Sequence, residues 1–199
     1  MSAPAAVPVG EADVGRAAAV IARAFHDDEL TVHLYPDSAE RARLTPFMFG
    51  AIVRYDVLFG RVDRLPDLGG VATWVLPDPP PETPKRLAQA GFDRLPDEIP
   101  LDRLDAFFGS IGPVIHEAVP EPHWHLRLLG VEPGRQGSGL GAVLLRHGVE
   151  RAAGEGYPVV LETFSERALG FYLRNGFEVI VDDVEPDTGI RFWALRHPE

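Results

Sequence analysis

The residues best suited to chemistry lie in one short run, Val131-Glu132-Pro133-Gly134-Arg135-Gln136-Gly137-Ser138-Gly139-Leu140-Gly141-Ala142, between a β-rich stretch and a segment of helical spacing. Glycines at 137, 139 and 141 let the chain turn tightly with its N–H groups converging, and a helix starting there adds the positive end of its dipole. Chemically this is a cradle for an anion. It fails as a P-loop, which needs Gly-Lys-Ser/Thr, because Leu140 follows Gly139. It passes literally as the dinucleotide fingerprint G-x-G-x-x-G/A, with Glu162 about twenty residues on. A glycine-rich structural turn is the plain alternative. His123 and His125 share one face of a strand at ligand-like spacing, but no carboxylate or third histidine stands where it would complete a set, so no metal is expected.

The elements that must hold this turn follow from periodicity. Residues 123–131 read as a strand, 137–154 as a helix, 157–163 as a buried strand and 165–175 as a helix ended by Asn175-Gly176, with FEVIVDDV and IRFWALR as a closing strand pair. Upstream, residues 11–25 carry Val14, Ala17, Ala18, Ile21 and Phe25 at helical spacing, and a second helix covers 37–59 with Asp37 or Ser38 as its cap. A hairpin with strands near 61–65 and 70–76 follows. Seven prolines between Pro77 and Pro100 predict a loop-like surface excursion with short helical pieces, and 102–118 regains helical spacing with a break at Gly112-Pro113. Too little chain follows residue 163 for the alternating strands and helices of a dinucleotide-binding domain. The expected architecture is α/β (α+β), with a mixed sheet of about six to seven strands flanked by helices. One domain over 1–199, carrying an insertion at about 77–120, accounts for the whole chain.

Composition narrows the function. Among 199 residues, 19 Lys+Arg face 30 Asp+Glu, a net charge of −11, which argues against nucleic-acid binding but not against a local anion site. There is no cysteine, so disulfides, thiolate-bound zinc and a protein thiol nucleophile are excluded. No stretch approaches a membrane span and the start of the chain does not read as a secretory leader, so the expectation is a cytoplasmic protein without a membrane partner.

A second motif lies beyond the turn: Ala168-Leu169-Gly170-Phe171-Tyr172-Leu173-Arg174-Asn175-Gly176-Phe177, a helix bearing a tyrosine and ending in Asn-Gly-Phe. With Gln136, Gly139 and Gly141 at the fixed positions of a Q/R-x-x-G-x-G/A signature, residues 123–197 resemble the GNAT superfamily of N-acetyltransferases. His123-Trp124, Leu161-Glu162-Thr163 and Phe171-Tyr172 look like the puromycin N-acetyltransferase-type branch. Ser165 departs from the pattern, standing where many members have asparagine, and the proline-rich insertion matches no family element.

The resemblance implies the GNAT fold, with acetyl-CoA as co-substrate entering a wedge where the fourth strand parts from the fifth. Backbone groups of Leu129, Gly130 and Val131 would meet the pantetheine. The N–H groups from Arg135 through Gln136, Gly137, Ser138, Gly139, Leu140 and Gly141 to Ala142 would take the pyrophosphate, with Arg135 adding charge and Ser165 near the cofactor. Tyr172 would be the general acid for the departing thiolate, and His125 or Glu162 the base for the acceptor ammonium. The acidic runs Asp27-Asp28-Glu29 and Asp182-Asp183 read as solvated loops or as attractors of a cationic amine. The implied reaction is direct acetyl transfer to a primary amine of a small molecule, such as an aminonucleoside-like antibiotic. A protein or peptide N-acetyltransferase and a non-catalytic acyl-CoA sensor are the rivals, and the edge of the closing strand pair leaves room for a homodimer.

Overall fold

The computed structural model describes residues 5–198, so residues 1–4 and 199, the two ends of the expected domain, lie outside it. The strands are β1 (Val7–Pro8), β2 (Arg61–Arg64), β3 (Gly70–Val75), β4 (Trp124–Val131), β5 (Val159–Thr163), β6 (Glu178–Val184) and β7 (Arg191–His197). They form one sheet in the order β1-β2-β3-β4-β5-β7-β6. Only β4 and β5 are parallel neighbours; every other pair is antiparallel.

The helices are α1 (Val14–Ala24), α2 (Glu29–Leu34), α3 (Ser38–Phe59), α4 (Pro84–Ala90), α5 (Leu101–Ala118), α6 (Leu140–Gly154) and α7 (Glu166–Arg174). One face of the sheet buries Ile21 of α1, Leu44 and Val53 of α3 and Phe107 and Ile111 of α5 against Val71. The opposite face buries Leu144 and Leu145 of α6 and Tyr172 of α7 against Trp74, Trp124 and Leu161. The apolar spacing of α1 and α6 selects these faces. The side chain of Asp37 begins α3 by accepting from the Glu40 N–H at 2.8 Å. On α6, Gly148 lies so close to the Trp74 ring that a Cβ there would overlap it.

Two expectations change. No break occurs at Pro113: α5 continues to Ala118 because Phe107 and Ile111 before the proline and Ile115 after it pack on one core cluster. Open space at Gly109 and Gly112 leaves room for the turn around the proline ring to adjust. The proline-rich stretch is irregular with two short helical pieces, as expected. Thr83 accepts from the Arg86 N–H, Pro84 opens α4 and Gly91 closes it at φ +95°. The run from Asp27 is not a plain loop, since the Asp28 carboxylate accepts from the Leu30 N–H and starts α2. The two-residue β1 is too short to show periodicity.

Replacing Gly148 with Ala should destabilise the protein by about 1–3 kcal/mol through overpacking against Trp74. Urea denaturation checks this, with Gly154→Ala, whose surroundings are open, as the near-neutral control.

Candidate active site

The parallel pair holds the site open. β4 and β5 share only two register pairs, Trp124 with Val159 and His125 with Val160, and then diverge. At the same place β4 slips against β3: Leu126 pairs with Trp74 and Leu128 with Thr73, leaving Arg127 as an extra, bulged residue. A bulge sharpens local twist and re-aims side chains. Here it turns Gly130 towards α1, where a Cβ would press on Ile21 and Ala24, and directs Val131 towards Gly141 of α6. Antiparallel pairing with β7 fixes β5 along its whole length. The β5-facing edge of β4 from Leu126 to Val131 therefore carries backbone groups without a strand partner.

Past the open edge, residues 133–135 make a single helical turn, and Gly137 and Gly139 adopt left-handed φ values of +77° and +83°. Gly139 caps α6 without side-chain help. The N–H groups of Gly137, Ser138, Gly139, Leu140, Gly141 and Ala142 have no acceptor among the described residues. Those of Arg135 and Gln136 already bond to Glu132 and Pro133 carbonyls. The free donors are thus the last six of the expected eight. Side chains brace the turn: Gln136 donates to the Val131 carbonyl at 3.2 Å and accepts from Arg167 at 3.0 Å, and Ser138 donates to the Arg135 carbonyl. The expected free charge of Arg135 is taken up by Asp67, whose Oδ2 lies 2.8 Å from its Nη1. A row of unpaired donors on a helix N-terminus suits the pyrophosphate of an acyl-CoA.

Where the wedge begins, His125 Nε2 stands 2.6 Å from Glu162 Oε2. The Glu162 side chain is 9% exposed and that of His125 29%. Both border a cavity of about 540 Å³ that Tyr172 and Leu129 also line. Tyr172, on α7, is 8% exposed and packs edge-on against Phe171 and Phe177. Burial, then the charges of Glu162 and Asp28, hold its phenol well above the ordinary tyrosine range. It therefore keeps its proton at any working pH. Ser165 caps α7, with its carbonyl accepting from Leu169 and its hydroxyl making no cap bond.

The other candidates separate. Asp28 lines the cavity, and burial, opposed by the Thr31 and Leu30 N–H groups, raises its carboxyl to about 6. Asp182 forms a two-pronged pair with Arg191 at 2.8 Å, and Asp183 accepts from the Val184 N–H, so neither serves the cavity. The His123 ring bonds to the Glu121 carbonyl, and no group of three or more His, Asp or Glu side chains converges as a metal site among the described residues.

Spacing alone missed the far wall. The proline-rich segment and α5 supply Glu82, Leu87, Phe92, Leu104 and Phe108, facing Phe25 and Phe49 across the cavity. Sequence reading also missed a charged cluster behind His125. Asp56 of α3, 1% exposed, is 3.2 Å from Arg127 Nη1, and Glu82 lies 4.0 Å from Nη2. Burial, against the pull of Arg127, lifts Asp56 to about 6. The signal was available: Arg127 falls two residues after His125 on the same strand face.

Comparison with known proteins bears on the fold and the class of the chain. Residues 104–179 match the acetyltransferase (GNAT) domain family. Over 182 residues the chain is 26% identical to an uncharacterised N-acetyltransferase of Schizosaccharomyces pombe, covering 87% of this chain and 74% of that protein. It also resembles the crystal structure described as histone acetyltransferase HPA2 and related acetyltransferase from Corynebacterium glutamicum. That similarity has a TM-score of 0.70 and 25% identity, over 99% of this chain and 97% of the other. An agmatine N-acetyltransferase shares the fold at a TM-score of 0.59 and 17% identity, over 98% and 100% of the two chains. The sheet and its flanking helices are the GNAT fold. The matched domain and these relatives support an N-acetyltransferase of the GNAT superfamily, a class that uses acetyl-CoA as co-substrate.

The raised carboxyls have a thermodynamic consequence. Asp28 and Asp56 hold protons up to about pH 6 in the folded chain but release them near the ordinary aspartate value of 3.8 when unfolded. Between those values the folded state binds more protons, so these two groups make stability fall as pH rises through that window. Asp28→Asn keeps the helix cap and removes one such group, so its stability relative to wild type should increase from about pH 4 to about pH 7. Urea denaturation at the two pH values tests this; an unchanged difference would mean that Asp28 titrates as an ordinary carboxyl.

Proposed function

We propose that the chain, read as one domain, transfers the acetyl group of acetyl-CoA directly to the primary amine of a small molecule with an apolar body. The observation that carries this reading is the convergence of the His125–Glu162 pair and the Tyr172 phenol on one cavity at the parting of β4 and β5. Acetyl-CoA supplies the activated acetyl group. The unpaired N–H groups from Gly137 to Ala142 hold its pyrophosphate, and the open edge of β4 at Leu129, Gly130 and Val131 pairs with its pantetheine arm. Ser165, just after β5, is read as a further contact of the cofactor.

His125 and Glu162 accept the first proton from the acceptor's ammonium, freeing the nitrogen lone pair to attack the thioester carbon. A backbone N–H near Val131 polarises the carbonyl, a kind of contact commonly worth about 2.7–4 kcal/mol. As the C–S bond breaks, the Tyr172 hydroxyl gives its proton to sulfur and recovers one from the new amide nitrogen. Overall, one proton leaves the acceptor ammonium for solvent through the base. With no cysteine in the chain, direct attack needs no acyl-thioenzyme.

The cavity argues for the acceptor class. Phe25, Phe49, Phe92 and Phe108 line the cavity together with the carboxylates Asp28 and Glu162, so an apolar body and an ammonium group both find partners. Residues contributed by α4 and α5 narrow the space that a lysine on a folded protein would have to enter. An aminonucleoside-like antibiotic, as the puromycin-type resemblance implies, is one such acceptor.

Tyr172→Phe should lower kcat by about 10²-fold or more while leaving the acetyl-CoA KM within about threefold. Unchanged turnover would remove Tyr172 from the mechanism. Thiol release from acetyl-CoA, followed across aromatic amines, polyamines and amine-bearing peptides, tests the reaction itself. Activity confined to peptides would transfer the assignment to the protein-acetylating alternative, and CoA binding without turnover to the sensor.

A further inference from the structure

We propose that Asp56 is a positioning residue for the base: its buried carboxylate binds Arg127 and serves as the counter-charge that lets the His125–Glu162 pair take up the acceptor's proton. The proposal rests on the reading of that pair as the base. Asp56 lies on α3, across from the face of β4 that carries both His125 and Arg127. One oxygen pairs with Arg127 Nη1 at 3.2 Å, whereas Oδ2 has no hydrogen-bond partner. The Thr73 hydroxyl stands beside the carboxylate without meeting hydrogen-bond geometry. A carboxylate this deeply buried is unfavourable unless it compensates other charge.

The charges around it define what it compensates. Arg127 comes from β4, and Glu82, from the segment before α4, reaches only to 4.0 Å from its Nη2. Tyr55 is the neighbour on α3, with Arg127 over its ring at 5.8 Å, and Arg86 of α4 sits over Phe59. On the other side His125 faces Glu162 of β5 and has His123 as its neighbour on β4. Arg127 is therefore a fixed positive charge two residues from the histidine that must become positive. Without Asp56 it would oppose proton uptake in a poorly solvated site; with Asp56 the pair is nearly neutral towards the imidazole. In the step it assists, the N–H bond of the ammonium breaks, the proton passes to the His125–Glu162 pair, and Asp56 neither gains nor loses one. The raised carboxyl of Asp56, about 6, means that its support is present at neutral pH and fades in acid.

The test is the titration of the His125 ring followed by NMR in the free protein. Asp56→Asn should move its midpoint down by about one pH unit, a tenfold loss of proton affinity. Removing the orphaned cation as well, in Asp56→Asn with Arg127→Gln, should restore it to within about 0.3 unit. The acid limb of the kcat/KM profile should follow both movements, which loss of packing alone would not produce. An Asp56→Asn midpoint equal to wild type, or a double variant that stays shifted, would overturn the proposal. Should Asp56→Asn fail to fold, Glu82→Gln at the exposed end of the cluster decides: a downward shift of about 0.3 unit supports it and no shift overturns it. Because the titration needs no acceptor, the two readings fail separately. Amine panels without turnover refute the enzyme, and a ring midpoint indifferent to Asp56 refutes the coupling.

Discussion

Everything at this site depends on the early loss of pairing between two parallel strands. β4 and β5 share only Trp124–Val159 and His125–Val160, yet neither strand is free to close the gap. β5 is bonded to β7 over its full length, and β4 is bonded to β3 on both sides of the bulge at Arg127. A sheet with both flanks anchored cannot relax its centre without breaking other ladders, so unpaired backbone at the wedge is maintained by well-paired backbone on either side. The last paired residue of β4 is His125, which joins Glu162 of β5 across the mouth. The pair proposed as the base thus bridges the two strands where their main chains cease to.

The same economy governs the glycine turn. On the proposed reading, an acidic chain of net charge −11 needs no excess of basic side chains to attract a pyrophosphate, because peptide N–H groups and a helix terminus, which carry no formal charge, supply the attraction. The nearby cations are otherwise engaged: Arg135 with Asp67, Arg167 with Gln136, and Arg23 with Glu132. They hold the loop in shape, whereas the donors from Gly137 to Ala142 remain open.

How far this was legible in the residues depended on whether a feature was local. The turn, the strands either side of it and helix α6 follow from glycine spacing and apolar periodicity, which operate over a few residues. Tyr172 followed from a motif on one helix. The far wall did not, because nothing local in seven prolines says that Leu87, Phe92 and Phe108 will face Phe25 across a cavity. Proline density argues against regular structure, yet Pro84 at a helix start is favourable and Pro113 is tolerated within a packed helix. The Asp56–Arg127 pair spans residues from α3 and β4 and needed the fold to bring it together. Arg135 shows the converse error: its position by the turn was readable, its partner Asp67, from the β2–β3 hairpin, was not.

In the proposed reaction two demands meet at the cavity, and the fold separates them by face and by depth. An ammonium must be attracted and then deprotonated, which favours nearby carboxylates, while a thiolate must be protonated as it leaves, which favours an acid that never ionises. Burial raises the Tyr172 phenol, and the charge of Glu162 raises it further. The charge that attracts the acceptor therefore also keeps the acid in its protonated form. Asp28 acts on the same phenol from the acceptor side, while Asp56 sits behind His125 and pairs with Arg127. The negative charges are consequently not interchangeable. One bonds to the base, one borders the acceptor's space, and one balances a cation that would otherwise work against proton transfer.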